Sequence, residues 1–170
     1  MEIKECPKTK EELVDEYNNL DTETRKILEC SYSTVADTDA SADRLEELRM
    51  FCKKLGMKRV GVAFCKGLRS FGENVDAQLS KDFETYSVCC NVCGIDKPDI
   101  NIKQVKDDRV EPACNPLGQA AVLNDKQVDI VVKCGFCMGH DIIFSKNIKA
   151  PTTTLIVKDR KHKHRTADIF

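Results

Sequence analysis

The stretch KRVGVAF at residues 58–64 is a short run of apolar and β-branched residues, and Cys65 follows it directly. A run of this length and composition predicts a strand buried inside a sheet. Three similar runs lie downstream, with helical patterns between them: strands at residues 83–88, 128–132 and 152–157, and helices at 67–80, 115–124 and 139–147. Strands that alternate with helices predict a three-layer α/β fold with a mainly parallel sheet of about four strands.

The part of the chain ahead of this alternation has helical patterns. Thr9 opens a capping-box motif, and Asp21 can cap a second helix. A third helix is predicted from about residue 41 to 55. We therefore predict that the whole chain is a single domain, in which a helical segment of residues 1–56 packs on an α/β metal-binding core of residues 57–170.

Composition excludes several classes of function. Of the 170 residues, 41% are apolar and 32% are charged, and the formal net charge is -1. This composition is typical of a soluble globular protein. The net charge is close to zero, so the protein has no overall electrostatic field that would attract nucleic acid or an anionic membrane. No apolar run approaches the roughly 20 residues that span a bilayer, and the charged N-terminus does not resemble a signal peptide. We expect a cytoplasmic protein without nucleic-acid or membrane partners.

The cysteines are the unusual feature of the sequence. Ten cysteines are many for a cytoplasmic chain, where thiols stay reduced and serve metal or redox chemistry more often than disulfides. Because ligands of parallel sheets bind at the shared carboxyl edge of the strands, we expect cysteines that follow strands to meet there. Cys30 and Cys52 lie on predicted helices and are expected to be packed apolar side chains. The cysteines next to strand ends or to the returning helix are Cys65, Cys89, Cys90, Cys93, Cys114, Cys134 and Cys137.

Thiolates select zinc or iron–sulfur clusters among the common metals. Two CxxC pairs, Cys90/Cys93 and Cys134/Cys137, would suffice for a four-thiolate zinc site. We favour an iron–sulfur cluster, of the 4Fe–4S type, because there are more thiols than one zinc ion uses and because nearby helix starts offer N–H groups to cluster sulfurs. A structural zinc-binding interaction module, a non-catalytic electron carrier, a metal-free dithiol and simply packed cysteines stay open as alternatives.

Several polar residues near the predicted edge are candidates for further roles. His140, in the first turn of a predicted helix, is a candidate acid–base residue, and could instead cap that turn. Lys66 and Gly67 are candidate contacts for the cofactor or for an anionic substrate, although a solvated surface is the simpler interpretation. A redox partner or a small anionic or sulfur-containing substrate would suit such a centre, but the sequence does not predict a reaction. His162 and His164, in a basic run, are predicted to lie in a solvated end.

Six segments together resemble a cysteine-rich family of unknown function, found largely in anaerobic bacteria and archaea and usually described as metal-binding. They are CPKTKEE (6–12), RLEELRMFCKKLGMKRVGVAFCKGLR (44–69), YSVCCNVCGIDK (86–97), EPACNPLGQAAVLN (111–124), CGFCMGHDIIF (134–144) and APTTTLIVKDR (150–160). The similarity runs from about Cys6 to His164, which is nearly the whole chain. The string of motifs is more specific than any one of them.

The resemblance also implies a ranking of the thiols. Its first-choice metal ligands are Cys65, Cys90, Cys114 and Cys137. Cys89, Cys93 and Cys134 rank second, as ligands of an enlarged or second site. The family pattern further includes two triplets, Gly139-His140-Asp141 and Lys158-Asp159-Arg160. After the second triplet this chain departs from the pattern, and only His164 stays in register.

Overall fold

A computed structural model of the chain describes residues 6–106 and 108–169. The chain divides into two compact units, Met1–Leu55 and Gly56–Phe170. Among the described residues, no helix combines the length and the apolar character needed to cross a membrane. The predicted packing of the helical segment on the sheet stays a prediction.

The first unit consists of helices whose starts are fixed by capping side chains. They are α1 (Lys10–Asn18), α2 (Thr22–Asp37) and α3 (Arg44–Lys54). Thr9 forms the predicted capping box with Glu12. The Asp21 carboxylate accepts hydrogen bonds from the backbone N–H groups of Glu23 and Thr24, which satisfies donors that the first turn leaves free. The predicted caps of α1 and α2 are therefore confirmed.

The third helix begins a few residues later than predicted. The Asp43 carboxylate accepts hydrogen bonds from the N–H groups of Leu45 and Glu46, and the Glu46 side chain accepts one in return from the N–H of Asp43. This reciprocal cap fixes the start of α3, because it satisfies the N–H group of the cap residue and those of the first helical turn, which would otherwise lack partners. Cys30 in α2 and Cys52 in α3 are buried, which confirms that they are packed side chains.

The second unit is built around a four-stranded parallel sheet. Its strands are β1 (Arg59–Phe64), β2 (Glu84–Cys89), β3 (Ile130–Cys134) and β4 (Thr152–Ile156). Their order is β2-β1-β3-β4, and every neighbouring pair is parallel. The central strands β1 and β3 are almost wholly buried, whereas β2 and β4 at the edges are only partly buried. The predicted strands and their parallel arrangement are confirmed.

Helices cover both faces of this sheet, as the predicted three layers require. Successive residues of a strand point to opposite faces. Ala63 of β1 packs in one core cluster with Leu123 and Phe144. The ring of Phe64, the next residue along β1, lies close against Gly72 on the other face. The helices of this unit are α4 (Arg69–Leu79), which carries Gly72, α5 (Pro116–Asp125), which carries Leu123, and α6 (Met138–Asn147), which carries Phe144.

Two strands run further than the sequence predicts. β2 ends at Cys89 and β3 ends at Cys134, although both cysteines were predicted to follow their strands. The reason is the register: Phe64 stands opposite Cys89 on one side and opposite Cys134 on the other. The ladder therefore keeps these two cysteines inside the sheet, and only the residues after them form loops.

The longest irregular segment lies between β2 and α5, as predicted. In its described residues, regular structure is limited to short 3-10 turns and one isolated antiparallel bridge, between Asp96 and Pro112. Lys97 and Glu111, the neighbours of the bridged residues, form a largely buried ion pair, and the charge of Lys97 holds the pKa of Glu111 below its ordinary value. The segment thus folds back on itself, so that its two ends lie side by side.

Gly135, directly after β3, has a positive φ of 69°, and a methyl group there would lie 1.8 Å from Cδ1 of Leu68. We expect Gly135→Ala to lower the free energy of unfolding by about 3 kcal/mol, because left-handed strain adds to overpacking. Gly56→Ala, at a φ of 71° with open space around it, should cost about 1 kcal/mol. Gly139→Ala, also in open space but inside α6 and without a positive φ, is the control, and it should keep the stability or raise it by up to about 1 kcal/mol. Denaturant unfolding of the full chain measures all three, and equal stability of the first two variants would contradict the described turn.

Candidate functional site

The carboxyl ends of β2, β1 and β3 lie level, so their loops leave from one edge of the sheet. The ladder continues beyond the strands: the N–H of Cys65 donates to the carbonyl of Cys134 (3.1 Å), and the N–H of Cys90 donates to the carbonyl of Phe64 (2.9 Å). This edge includes the crevice between β1 and β3, where the direction of the chain across the sheet reverses. In open α/β sheets such a crevice is the usual place for a ligand.

Three thiols are neighbours at this edge. The Cys90 side chain is near enough to those of Cys65 and Cys114 for each pair to shift one another's pKa. Cys114 reaches this position because the irregular segment returns to the edge, where the N–H of Asn115 donates to the carbonyl of Cys90 (2.7 Å). Without this return of the segment, Cys114 would not lie at the sheet edge.

Backbone N–H groups of the turn after β1 are directed at two of these sulfurs. The N–H of Lys66 donates to Sγ of Cys90 at 3.2 Å, and the N–H of Gly67 is near enough to the Cys65 thiol to oppose the rise in its pKa. Lys66 and Gly67, the predicted cofactor contacts, therefore reach the thiols through their main chain and not through a side chain. Hydrogen bonds of this kind favour thiolates, and in iron–sulfur proteins they tune the cluster.

A fourth thiol and two cations complete the site. Cys137 is the N-cap residue of α6, and its Sγ accepts a hydrogen bond from Nη2 of Arg160 at 3.2 Å. The charge of Arg160 also interacts with Cys65 and Cys114. Nζ of Lys158 donates to Sγ of Cys65 at 3.4 Å. The four cysteines that the resemblance ranked first are thus brought together, and they are called the rim thiols here: Cys65, Cys90, Cys114 and Cys137.

Interactions among the rim thiols give these thiols different pKa values. The interaction with Cys90, together with burial, raises the pKa of Cys65 to about 12. The interaction with Cys114 raises the pKa of Cys90 to about 11, and the same interaction lowers the pKa of Cys114. Of these three thiols, Cys114 therefore loses its proton most readily, and Cys65 holds its proton most firmly.

The cysteines ranked second have other surroundings. Cys134 is fully buried within β3, and this burial raises its pKa to about 11. Cys93 is exposed and has a positive φ of 67°. Cys89, at the end of β2, is half-buried and near enough to Cys114 for their charges to interact. In the part of the chain that the structure describes, none of these three shares a hydrogen bond with a rim thiol.

His140 lies in the first turn of α6 and is half-buried. Its alternative role was to cap this turn through a bond with Asp141 or with the backbone, but the N-cap residue of α6 is Cys137 and no such bond is present among the described residues. The Asp141 carboxylate instead pairs with the Lys133 ammonium (2.5 Å) and accepts a bond from the Ser145 hydroxyl (3.2 Å). Among the described residues the His140 ring has no hydrogen-bond partner, and its acid–base role stays a prediction.

The segment that carries the two cations is held by bonds between a carboxylate and two histidines. The Asp159 carboxylate accepts a hydrogen bond from the N–H of His162 (3.0 Å) and pairs with the His162 ring (2.9 Å). The N–H of Asp159 donates to Nδ1 of His164 (3.1 Å). These bonds from His162 lower the pKa of Asp159. The prediction of a solvated end is wrong for both histidines, because they are half-buried and bonded.

Sequence reasoning missed two parts of the site. One is Gln119, buried in α5, whose amide donates to the carbonyls of Phe64 (3.2 Å) and Val88 (3.0 Å) and so ties the ends of β1 and β2 together. Its signal was an amide at the centre of an otherwise apolar helix. The other is the contact of Lys158 and Arg160 with thiols, for which the Lys-Asp-Arg triplet of the resemblance was the only signal.

The rim thiols converge without forming a closed cage for a single ion. Within residues 6–106 and 108–169, no group of three or more Cys, His, Asp or Glu side chains is arranged to hold a metal ion. Zinc bonded to four sulfurs at about 2.3 Å requires sulfur–sulfur distances of about 3.8 Å on every side of a tetrahedron. The site instead offers soft donors from separate loops, with N–H groups and cations directed at them.

Comparisons with known proteins support the family resemblance seen in the motifs. A family model described as a protein of unknown function (DUF1847) matches residues 2–155. The chain is 45% identical over 165 residues to an uncharacterized protein of Methanocaldococcus jannaschii, covering 96% of this chain and 84% of that protein. No solved structure matches the chain. By both its family match and its archaeal relative, the chain belongs to the DUF1847 family of proteins of unknown function.

Proposed function

We propose that this protein binds an iron–sulfur cluster at the carboxyl edge of its sheet, with the rim thiols as ligands. The observation that supports this most is that four soft donors from three connections meet where N–H groups and cations are directed at sulfur. Cysteines that only fill space would not need donors aimed at their sulfur atoms. Thiolate ligands carry negative charge, and such donors stabilise that charge.

The number of thiols favours a cluster over a single zinc ion. Seven cysteines lie next to strand ends or to the returning helix, which is more than the four that one zinc ion binds. In a four-iron cluster each thiolate binds a different iron. Structural zinc also tends to hold together small units without a core, whereas this unit has a core built from both faces of a sheet.

Bound in this place, a cluster supplies one-electron transfer or, at an iron with an open position, Lewis-acid or sulfur-accepting chemistry. Within the proposal, His140 is the candidate acid–base residue, since it begins α6 together with Cys137. Lys66 and Gly67 hold sulfur through their N–H groups. The partner classes that suit this site are a redox protein and a small anionic or sulfur-containing substrate.

One contact favours a second candidate function, which is dithiol–disulfide exchange. Cys65 and Cys90 stand side by side directly after two neighbouring strands, and each thiol shifts the pKa of the other. Adjacent positions on paired strands lie at a separation that a disulfide can bridge. In this reaction the two thiols would form a disulfide and pass two electrons and two protons to a substrate disulfide, which leaves as two thiols.

Metal and sulfide analysis of protein purified without oxygen separates these functions. We expect iron matched by acid-labile sulfide and a broad visible absorption, because thiolate-bound clusters absorb by charge transfer. Stoichiometric zinc without sulfide would contradict the cluster and support a structural zinc module. Protein that contains neither metal and that does not assemble a cluster from ferrous iron and sulfide would contradict metal binding and leave the dithiol function.

Substitution of single cysteines tests the ligand assignment. Replacing any rim thiol by Ala should reduce iron per chain by more than the roughly 10-fold that follows loss of an outer-sphere partner, because a direct bond to the metal is removed. Cys30→Ala and Cys52→Ala are matched controls that also remove buried thiols, and they should keep their iron. Full iron content in Cys114→Ala or Cys137→Ala would refute the assignment.

Variants of the second-ranked cysteines test whether the ligand set is larger than the four rim thiols. Cys134→Ala should lower stability through a cavity in the sheet while its iron content is kept, because this side chain is fully buried. Cys89→Ala and Cys93→Ala should keep both. Iron analysis and denaturant unfolding measured on the same samples separate these effects, and loss of iron in any of the three would extend the ligand set to that residue.

A further inference from the structure

We propose that Lys158 and Arg160 balance the negative charge of the metal centre and thereby set its reduction potential. This inference rests on the proposed cluster and adds a role for residues that are not ligands. Both side chains contact ligand sulfur directly, with Nζ of Lys158 at 3.4 Å from Cys65 and Nη2 of Arg160 at 3.2 Å from Cys137. A cluster with four thiolate ligands carries net negative charge, so two adjacent cations oppose most of it.

The partners of the two cations support this role. The protein has 28 acidic residues, yet among the residues that the structure describes neither Lys158 nor Arg160 is paired with a carboxylate. Their recorded hydrogen bonds go to thiol sulfur alone. A lysine or arginine on an ordinary surface is either solvated or paired with an acid, whereas both of these end on sulfur atoms of the same site.

Asp159 lies between the two cations but is kept away from both. Its carboxylate is occupied by the N–H and the ring of His162, and its own N–H is bonded to the ring of His164. If this carboxylate were free it would compete with the thiolates for the neighbouring cations. The two histidines therefore fix the segment in a form in which positive charge faces the thiols and negative charge does not.

The turn after β1 leaves room for the ammonium of Lys158. A Cβ at Gly67 would lie 3.0 Å from Nζ of Lys158 and 4.0 Å from Sγ of Cys65. Because Gly67 has no side chain, the ammonium and the N–H of Gly67 reach the same sulfur atom. The close approach of the backbone, the Cys65 thiol and the Lys158 ammonium therefore explains why residue 67 is glycine.

Reduction adds negative charge to a cluster, so nearby cations and hydrogen bonds to sulfur make reduction easier. Lysine supplies a compact point charge at Cys65, whereas arginine supplies a planar group whose charge also interacts with Cys65 and Cys114. Removing either cation should therefore shift the reduction potential to more negative values.

The test uses the full chain, loaded without oxygen with ferrous iron and inorganic sulfide, and compares reduction potentials. Lys158→Met, Arg160→Gln and the double variant should each be harder to reduce than the unchanged chain, with the largest shift in the double variant. Lys161→Met removes an exposed charge of the same segment and should leave the potential unchanged. Lys158→Arg keeps the charge, and it should restore most of the original potential. Iron and sulfide per chain should stay the same throughout.

The experiment separates a failure of this inference from a failure of the proposed function. A double variant with a full cluster and an unchanged potential would overturn this inference and leave the proposed function standing. An unchanged chain that assembles no cluster would overturn both. If Lys158→Met assembled no cluster, recovery of the cluster in Lys158→Arg would support a charge effect, and failure of that variant too would show a structural role and overturn the inference.

Discussion

The hydrogen-bond ladder that joins β1 to β2 and β3 is the constraint on which the rest of the site depends. Phe64 stands opposite Cys89 and Cys134 at once, and the ladder continues to the N–H groups of Cys65 and Cys90. Parallel strands paired in this register end at one level, so their loops leave the sheet side by side. The amide of Gln119 adds a second tie between the ends of β1 and β2. Together these bonds fix the backbone from which the thiols project.

A difference of one residue along a strand changes what a cysteine contacts here. Cys134 is still held in the ladder of β3, whereas Cys65 and Cys90, one residue beyond their strands, lie at the sheet edge, where the Lys158 ammonium and the N–H of Lys66 reach their sulfur atoms. Side chains alternate between faces within a strand, and that alternation ends where the ladder ends. Two cysteines with similar sequence contexts therefore acquire different surroundings, and Cys134 resembles the buried valines of its strand more than it resembles the rim thiols.

The N–H groups and cations that face the thiols come from parts of the chain that are far apart in sequence. The N–H groups of Lys66 and Gly67 follow β1 directly, whereas Lys158 and Arg160 lie beyond β4. Both groups of donors act on sulfur, so positive potential reaches the thiols from two sides. These donors favour negative charge on sulfur, whereas the neighbouring thiols and burial oppose it by raising the pKa of Cys65 and Cys90.

Local pattern in the sequence determined the strands, the caps at Thr9 and Asp21, and the parallel arrangement, because each depends on neighbouring residues or on alternation along the chain. The gathering of thiols at the carboxyl edge also followed from that arrangement, and the four cysteines that the family resemblance ranked first lie there. Tertiary structure alone decided that Cys134 lies in the sheet, that Asp159 binds His162 and not Arg160, and that Lys158 and Arg160 end on thiols. The contacts of Lys158 and Arg160 join residues more than 20 positions apart, and the place of Cys134 depends on the exact register of paired strands. Asp159 and His162 are close in sequence, but their contact depends on how an irregular segment folds. Periodicity along the chain carries none of this information.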